Sequence, residues 1–275
     1  MSVKDIMVVL ERAADAEALA EYTHSFSESF GAHTTVVGVV QQLPPAPAFM
    51  GEFPYELVQS AQEAAMREIA QGYDRFEKSA PRPNVCELVK IEPAPGNAPT
   101  AVARLARNFD ITFGVQPEGP DQSASGLLLE GLLFHSGRPL LILPYIHRGP
   151  AKLGRVIVAW DGGAAAARAL AAAMPVLKRA GRVEIVTMLN GRKASTDLPG
   201  FDIARNLARH GIQAELKTLP KGEDDGALIL SYAVDENADM LVMGGYGHSR
   251  LREFVLGGAT RTILSSMTLP VLMAH

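Results

Sequence analysis

The chain has 275 residues, of which 47% are hydrophobic and 20% charged, a composition typical of a soluble globular protein. Its single cysteine, Cys86, excludes an intramolecular disulfide, and no uncharged apolar stretch reaches the roughly 18 residues that a membrane-spanning helix needs. The net charge of −4 is too small and of the wrong sign for a nucleic-acid-binding protein, and the amino terminus lacks a signal-peptide pattern. We therefore expect a cytoplasmic protein with no nucleic-acid or membrane partner.

Short apolar runs alternate with helical stretches from the amino terminus onward. The first run, residues 6–10, predicts a buried strand, and Gly31 is placed to end the helix that follows it. Further strands are expected around residues 36–39, 109–113 and 138–142. The proline- and glycine-rich stretch at residues 144–154 predicts an interdomain linker.

The second half repeats this pattern. Strands are expected near residues 155–160, 183–189, 213–218, 240–243 and 270–273, and helices near 164–179, 200–210, 223–237 and 258–266. Residues 6–11 align with residues 156–161, and residues 109–113 align with residues 238–242. Alternating short strands and helices favour a parallel sheet with both faces covered. The acids at residues 223–225 suit the first turn of a helix, with a catalytic role as the less favoured alternative.

The most informative segment is residues 244–260, a glycine-rich loop between a strand and a helix. Gly244 and Gly247 follow the strand, and Gly257, Gly258, Ala259 and Thr260 open the helix. Exposed backbone N–H groups in such a loop and at a helix start attract anions, and glycine permits close approach of a ligand. The pattern predicts a phosphate-binding site. It lies in the half that carries a charge of +3, since residues 1–150 hold 11 Lys and Arg against 18 Asp and Glu.

These residues resemble the universal stress protein family. Its ATP-binding members carry G-x2-G-x9-G-(S/T) after the fourth strand, and here Gly244-x2-Gly247 is followed by nine residues and Gly257. The family also closes its first strand with an aspartate, matched by Asp161. The resemblance implies two tandem Rossmann-like domains of the adenine nucleotide alpha hydrolase type, each an α/β five-stranded parallel sheet flanked by helices. The expected bounds are residues 1–144, a degenerate domain, and 152–275, the domain with the nucleotide-binding loop.

The resemblance also implies a set of ligand contacts in the second domain. Asp161 and the backbone near Met188 would hold the adenosine end, and the phosphates would lie against Gly244, Gly247, Gly257, Gly258 and Ala259. His248 either contacts a phosphate or caps the loop. Thr260 offers a hydroxyl two residues after Gly258, which stands where the family has Ser or Thr. The cofactor implied is ATP, with or without Mg²⁺.

Two departures from the family pattern matter. Gly258 stands at the Ser/Thr position, which removes a side-chain hydroxyl and predicts weaker binding. In the first domain, Glu11 replaces the aspartate, Pro117 removes an N–H donor, Leu127 follows Gly126, and Glu118 adds a negative charge. We expect that domain not to bind nucleotide in this way.

The leading hypothesis is a non-enzymatic, nucleotide-binding module of the stress response. The histidines show no metal-ligand spacing, and no G-x-S-x-G or G-x4-GK-(S/T) motif occurs. A slow ATPase, with Asp161 as the carboxylate to test, and an interaction protein with a vestigial site remain alternatives. Pairing of the fifth strands would give an intramolecular pseudo-dimer, and a homodimer is the other arrangement considered.

Overall fold

The structure is a computed structural model that describes residues 2–40, 55–79, 86–117, 124–188, 203–246 and 258–275. It divides into two compact units, residues 2–151 and residues 152–275. We call these the first and second domains.

The first domain alternates strand and helix throughout. Its strands are β1 (Asp5–Leu10), β2 (His33–Val39), β3 (Cys86–Ile91), β4 (Ile111–Val115) and β5 (Leu140–Leu143). Its helices are a 3-10 turn (Ala13–Asp15), α1 (Ala16–Phe30), α2 (Tyr55–Ser79), α3 (Ala98–Ala106) and α4 (Ala124–His135). The strands pair in parallel in the order β3-β2-β1-β4-β5.

Helix α1 packs on this sheet through aromatic side chains. The rings of Tyr22 and Phe26 lie edge-on to Phe113 of β4, with centroids 5.9 and 5.1 Å away. Gly31 ends the helix as predicted, since its φ of +59° places the chain in the left-handed region that favours glycine.

The predicted linker begins as a segment fixed to α1. The His147 ring lies edge-on to Tyr22 at 5.3 Å. Glu21 Oε2 accepts the Gly149 N–H at 2.9 Å, and Ser25 Oγ accepts the Ala151 N–H at 2.6 Å. These contacts assign residues 144–151 to the first domain.

The second domain has the same order of elements. Its strands are β6 (Arg155–Ala159), β7 (Arg182–Met188), β8 (Ala214–Leu219), β9 (Met240–Gly244) and β10 (Val271–Ala274). Its helices are α5 (Ala164–Leu177), α6 (Ile203–Arg209), α7 (Asp225–Asp235) and α8 (Gly258–Ser266). All pairings are parallel, in the order β10-β9-β6-β7-β8.

The predicted α/β fold class is confirmed, and the predicted strands of the second domain lie within two residues of the observed ones. The apolar residues of β6 and β9 explain why the centre of β6 and the first four residues of β9 are buried. None of the helices in the described part of the chain is long and apolar enough to cross a membrane.

One aspartate in each domain, placed directly before β4 or β9, ties the start of that strand to the first strand of the domain. Asp110 Oδ2 accepts the backbone N–H groups of Lys4 and Asp5 at 2.7 and 3.1 Å. Asp239 Oδ2 accepts the N–H of Arg155 at 2.9 Å. In both domains the carboxylate thus accepts backbone N–H groups at the start of the first strand, where the sheet offers them no carbonyl partner.

The second domain buries one carboxylate at the amino ends of its strands. Glu184 of β7 is fully buried; the Arg182 Nε lies 3.0 Å from its Oε1, and the Tyr232 hydroxyl donates to its Oε2 at 2.7 Å. Burial, and then the bond to Glu184, raises the pKa of Tyr232. Because Arg182 begins β7, this cluster lies at the opposite edge from the carboxyl ends of the strands, where open sheets bind ligands.

The first prediction concerns the acid stability of the first domain. His24 lies beside Phe76 of α2, with centroids 6.0 Å apart, and burial lowers its pKa below 6.5, against the opposing effect of Glu28. The unfolded chain therefore takes up a proton more readily than the folded one, and stability falls as the pH drops below 6.5. We expect His24→Leu to lose this part of the acid sensitivity.

Urea unfolding at about pH 7.5 and about pH 5.5, followed by far-UV circular dichroism, measures the effect. Fluorescence of Trp160, which lies in the second domain, serves as the internal control, since its transition should respond to pH equally in both proteins. Equal acid sensitivity of wild type and variant by circular dichroism would contradict the prediction.

Candidate functional site

Three predicted ligand positions meet at the carboxyl edge of the second sheet. Strand β6 lies between β9 and β7, so the chain order reverses at β6. Asp161 follows β6, Met188 ends β7 and Gly244 ends β9. Open α/β sheets bind ligands at this kind of topological switch point, because the connections diverge there and leave a crevice.

Asp161 shapes the turn from β6 into α5. Its Oδ1 accepts the N–H of Gly163 at 2.7 Å, and Gly162 between them has a φ of +78°. The carboxylate is exposed at the start of a helix of 14 residues. It thus presents a fixed hydrogen-bond acceptor at the mouth of the crevice, beside the positive end of the α5 dipole.

Gly244 is explained by packing. A Cβ at this position would lie 2.5 Å from the backbone nitrogen of Ala166 and 2.7 Å from the carbonyl carbon of Ala165, both in the first turn of α5. The sequence analysis expected this glycine to allow close approach of a ligand. The structure shows that it allows close approach of the first turn of α5. Its absence of a side chain brings the ends of β9 and β6 and the start of α5 together.

Helix α8 is fixed to the same edge by contacts with α7. A Cβ on Gly226 would lie 2.7 Å from the carbonyl oxygen of Ala259, so the two helix starts touch through bare backbone. Asp224 caps α7 by accepting the N–H groups of Gly226 and Ala227, and its Oδ2 accepts the Thr262 hydroxyl at 2.7 Å. The Thr262 bond, followed by the two backbone bonds, lowers the pKa of Asp224. The sequence analysis placed all three acids of residues 223–225 in the first turn, whereas Asp224 caps α7 and only Asp225 lies in its first turn.

The first turn of α8 contains three of the predicted contact residues in different environments. Gly258 is exposed, and a Cβ added there would meet no atom of the described residues within 4 Å. Ala259 is half-buried, and Thr260 is buried at 5% exposure. First-turn N–H groups have no acceptor within their own helix, so this turn offers donors to an anion.

Thr260 lies beneath this turn and contacts the chain as it leaves β9. Its Oγ1 accepts the backbone N–H of Tyr246 at 3.2 Å. His275, a residue that the sequence analysis did not single out, contacts the carbonyl oxygen of Gly245 through its Nδ1 at 2.9 Å. Its position directly after the last strand was the available signal, because that places it at the ligand-binding edge.

The remaining predicted contacts, Gly247, His248 and Gly257, lie outside the described residues. The described part of the site therefore consists of the turn at residues 161–163, the end of β9 with Gly245 and Tyr246, and the first turn of α8.

The corresponding edge of the first domain is filled by its own side chains. The hydroxyl of Tyr73, from α2, accepts the N–H of Gly38 at 2.9 Å and donates to the Val89 carbonyl at 2.7 Å. The offset of 150 that aligns residues 6–11 with residues 156–161 also sets Gly38 opposite Met188. A Cβ on Gly38 would lie 2.4 Å from the side chain of Ile69. Helix α2 thus occupies the place next to β2 that corresponds to the predicted adenosine end.

A carboxylate of the protein itself also occupies the start of α4 in the first domain. Glu11, the replacement for the family's aspartate, accepts the hydroxyl of Ser125 at 3.1 Å through its Oε2, in the first turn of α4. A fixed carboxylate at that position repels a phosphate and competes with it for the helix start.

Comparison with known proteins gives the same family as the sequence motifs. Residues 152–275 match the model of the universal stress protein family. The chain is 26% identical over 160 residues to a universal stress protein of Synechocystis sp. (strain ATCC 27184 / PCC 6803 / Kazusa), an alignment that covers 55% of this chain and 52% of that protein. The chain thus spans about half the length of this curated relative.

Solved structures share the fold. A universal stress protein of Archaeoglobus fulgidus DSM 4304 covers 99% of this chain and 96% of its own, with a TM-score of 0.75 and 18% identity. A universal stress protein solved in complex with cAMP covers 53% of this chain and 99% of its own, with a TM-score of 0.36 and 13% identity. The first likeness extends over both domains and shows the fold, and the second is too distant to locate a ligand here.

The second prediction compares Gly244, which packs against α5, with Gly258, which is exposed. Gly244→Ala should destabilise the second domain by about 1–3 kcal/mol, because the new methyl group overlaps the first turn of α5. Gly258→Ala is the matched control and should change stability by less than about 1 kcal/mol, since its methyl group enters open space in a helix.

Urea unfolding followed by Trp160 fluorescence measures both variants in the domain that they alter. Equal stability of Gly244→Ala and wild type would show that α5 does not depend on a bare backbone at this position.

Proposed function

We propose that residues 152–275, which belong to the universal stress protein family, bind ATP or a related adenine nucleotide, and that the protein acts as a non-enzymatic binding and signalling module of the cytoplasmic stress response. The observation that carries the proposal is the meeting of Asp161 with the starts of α5 and α8 at the switch point of one sheet.

The chemistry of this edge suits a nucleotide. The first turns of α5 and α8 supply backbone N–H donors and positive dipole ends, which favour a polyphosphate. The Asp161 carboxylate is a hydrogen-bond acceptor, which suits the hydroxyl and amino groups of an adenosine and not its phosphates. A polyphosphate bound between the helix starts would bring Mg²⁺ as its counterion.

The open space at Gly258 favours a site with room for a ligand. No atom of the described structure lies within 4 Å of the position where a side chain would begin. The glycine thus leaves the phosphate side of the crevice accessible, at the expense of one hydroxyl contact.

The first domain has a different part in this proposal. Tyr73 and Glu11 occupy its corresponding edge, so we assign nucleotide binding to the second domain alone. One nucleotide per chain is the resulting stoichiometry.

The environment of Asp161 supports the non-enzymatic part of this proposal. Hydrolysis requires a base that activates a positioned water. Asp161 Oδ1 accepts the Gly163 N–H, which fixes the carboxylate as a structural acceptor at the turn. Binding without turnover is therefore the proposed behaviour.

The third prediction tests the site by restoring the missing hydroxyl. Gly258→Ser should tighten ATP binding about ten- to a hundredfold, because a hydrogen bond to a charged group contributes about 1.5–3 kcal/mol. Gly258 is the first residue of helix α8, a position that serine can also occupy. Asp161→Ala should weaken binding, with Ala171→Ser, an exposed residue of α5, as the control that changes nothing.

Isothermal titration calorimetry with ATP, in Mg²⁺ and in EDTA, measures affinity and stoichiometry, and phosphate release measures turnover. Absence of binding to both wild type and Gly258→Ser at millimolar ATP would overturn the proposal. ATP turnover that Asp161→Asn abolishes would replace it with an ATPase.

A further inference from the structure

Two side chains hold one peptide group at the start of the glycine loop. The carbonyl oxygen of the Gly245–Tyr246 peptide accepts a hydrogen bond from His275 Nδ1 at 2.9 Å. The N–H of the same peptide donates to Thr260 Oγ1 at 3.2 Å. Because a carbonyl oxygen only accepts, Nδ1 of His275 carries the proton. The two side chains come from different elements, the end of β10 and the first turn of α8, and clamp the peptide from opposite sides.

The clamped orientation is not the one that the backbone prefers. Tyr246 has a φ of +51°, in the left-handed region that is unfavourable for an aromatic residue. Turning the peptide by half a rotation would change φ of Tyr246 from +51° to about −129°, an ordinary extended value. Gly245 tolerates the matching change in ψ, because it has no side chain. Two orientations are therefore accessible, and the surrounding contacts select the strained one.

The contacts of Gly245 and Thr260 are sheltered from water. Gly245 is buried and its N–H donates to the Ala274 carbonyl at 2.9 Å, which continues the pairing of β9 with β10. Thr260 is 5% exposed. Its hydroxyl oxygen faces the chain leaving β9, so its effect on a ligand passes through that backbone.

We propose that Thr260 and His275 are positioning residues of the nucleotide site, which hold the Gly245–Tyr246 peptide in the left-handed orientation and so set the direction in which the chain leaves β9 beside α8. This inference rests on the proposed function for the affinity that it predicts. It replaces the direct phosphate contact that the sequence analysis gave to Thr260.

The fourth prediction is tested with Thr260→Val, which keeps the branched shape and removes the acceptor oxygen. In the nucleotide-free protein, the Tyr246 amide should exchange its hydrogen at least about fivefold faster, the factor expected for one lost hydrogen bond. ATP affinity should fall by a similar factor. Thr260→Ser restores the oxygen and should restore both values.

Two further variants complete the design. His275→Ala removes the other half of the clamp at an exposed side chain, so it keeps the test valid even where Thr260→Val fails to fold. It should also accelerate exchange of the Tyr246 amide and weaken ATP binding. Thr262→Val is the control on the same helix: it loses the bond to Asp224 and should leave Tyr246 exchange unchanged.

Exchange is read by amide-resolved nuclear magnetic resonance and affinity by calorimetry, so the two proposals fail separately. Unchanged Tyr246 exchange in both Thr260→Val and His275→Ala overturns the positioning role. Weaker ATP binding in Thr260→Val without faster exchange also overturns it, because the hydroxyl would then act on the ligand directly. Faster exchange in a protein that binds no ATP upholds the clamp and overturns the proposed function.

Discussion

The close approach of β9 to the first turn of α5 is the constraint on which the candidate site depends. At Gly244 the backbones come so near that the first carbon of a side chain would lie 2.5 Å from the nitrogen of Ala166. This contact sets the end of β9 beside the turn that contains Asp161. Helix α8 then joins the same edge through a second bare-backbone contact, at Gly226. Gly226 and Gly244, each packed against the backbone of another element, thus decide whether the acceptor and the helix starts share one crevice.

The first domain shows that the same topology does not by itself leave such an edge open. Its strands have the same order as those of the second domain. However, the Tyr73 hydroxyl bridges the backbones of β2 and β3, and Glu11 accepts a hydrogen bond from Ser125 at the start of α4. Both groups satisfy backbone or helix-start donors with atoms of the protein itself. A closed edge of this kind is stable without a ligand, whereas the described part of the second domain presents the first-turn N–H groups of α8 as donors that a ligand can use.

The sequence was sufficient for the fold because local and long-range signals agreed. The apolar runs of β6 and β9 and the alanine-rich α5 match the strands and helix that form, and the repeat predicted the same alternation of strands and helices in both halves. The family resemblance put Asp161 and Gly244 in one ligand site, and both lie at the edge that the carboxyl ends of parallel strands share. The reason for Gly244 could not be predicted, since it depends on a helix 80 residues earlier whose distance no local pattern encodes. His275 and the insertion of Tyr73 were missed for the same reason, because each contacts backbone remote in sequence.

Gly244 and Gly258, two described glycines of the predicted loop, therefore differ in physical terms. Gly244 is required by the scaffold, because α5 fills the space of its side chain, while Gly258 faces open space and is free to vary with the ligand. Replacement of Gly244 should change stability, and under the proposed nucleotide-binding function replacement of Gly258 should change binding. Tyr246 differs from both glycines. Its left-handed φ is unfavourable for an aromatic residue and is maintained by the hydrogen bonds of Thr260 and His275. A consensus motif treats these positions alike, and only the contacts around each one tell which of them a nucleotide would meet.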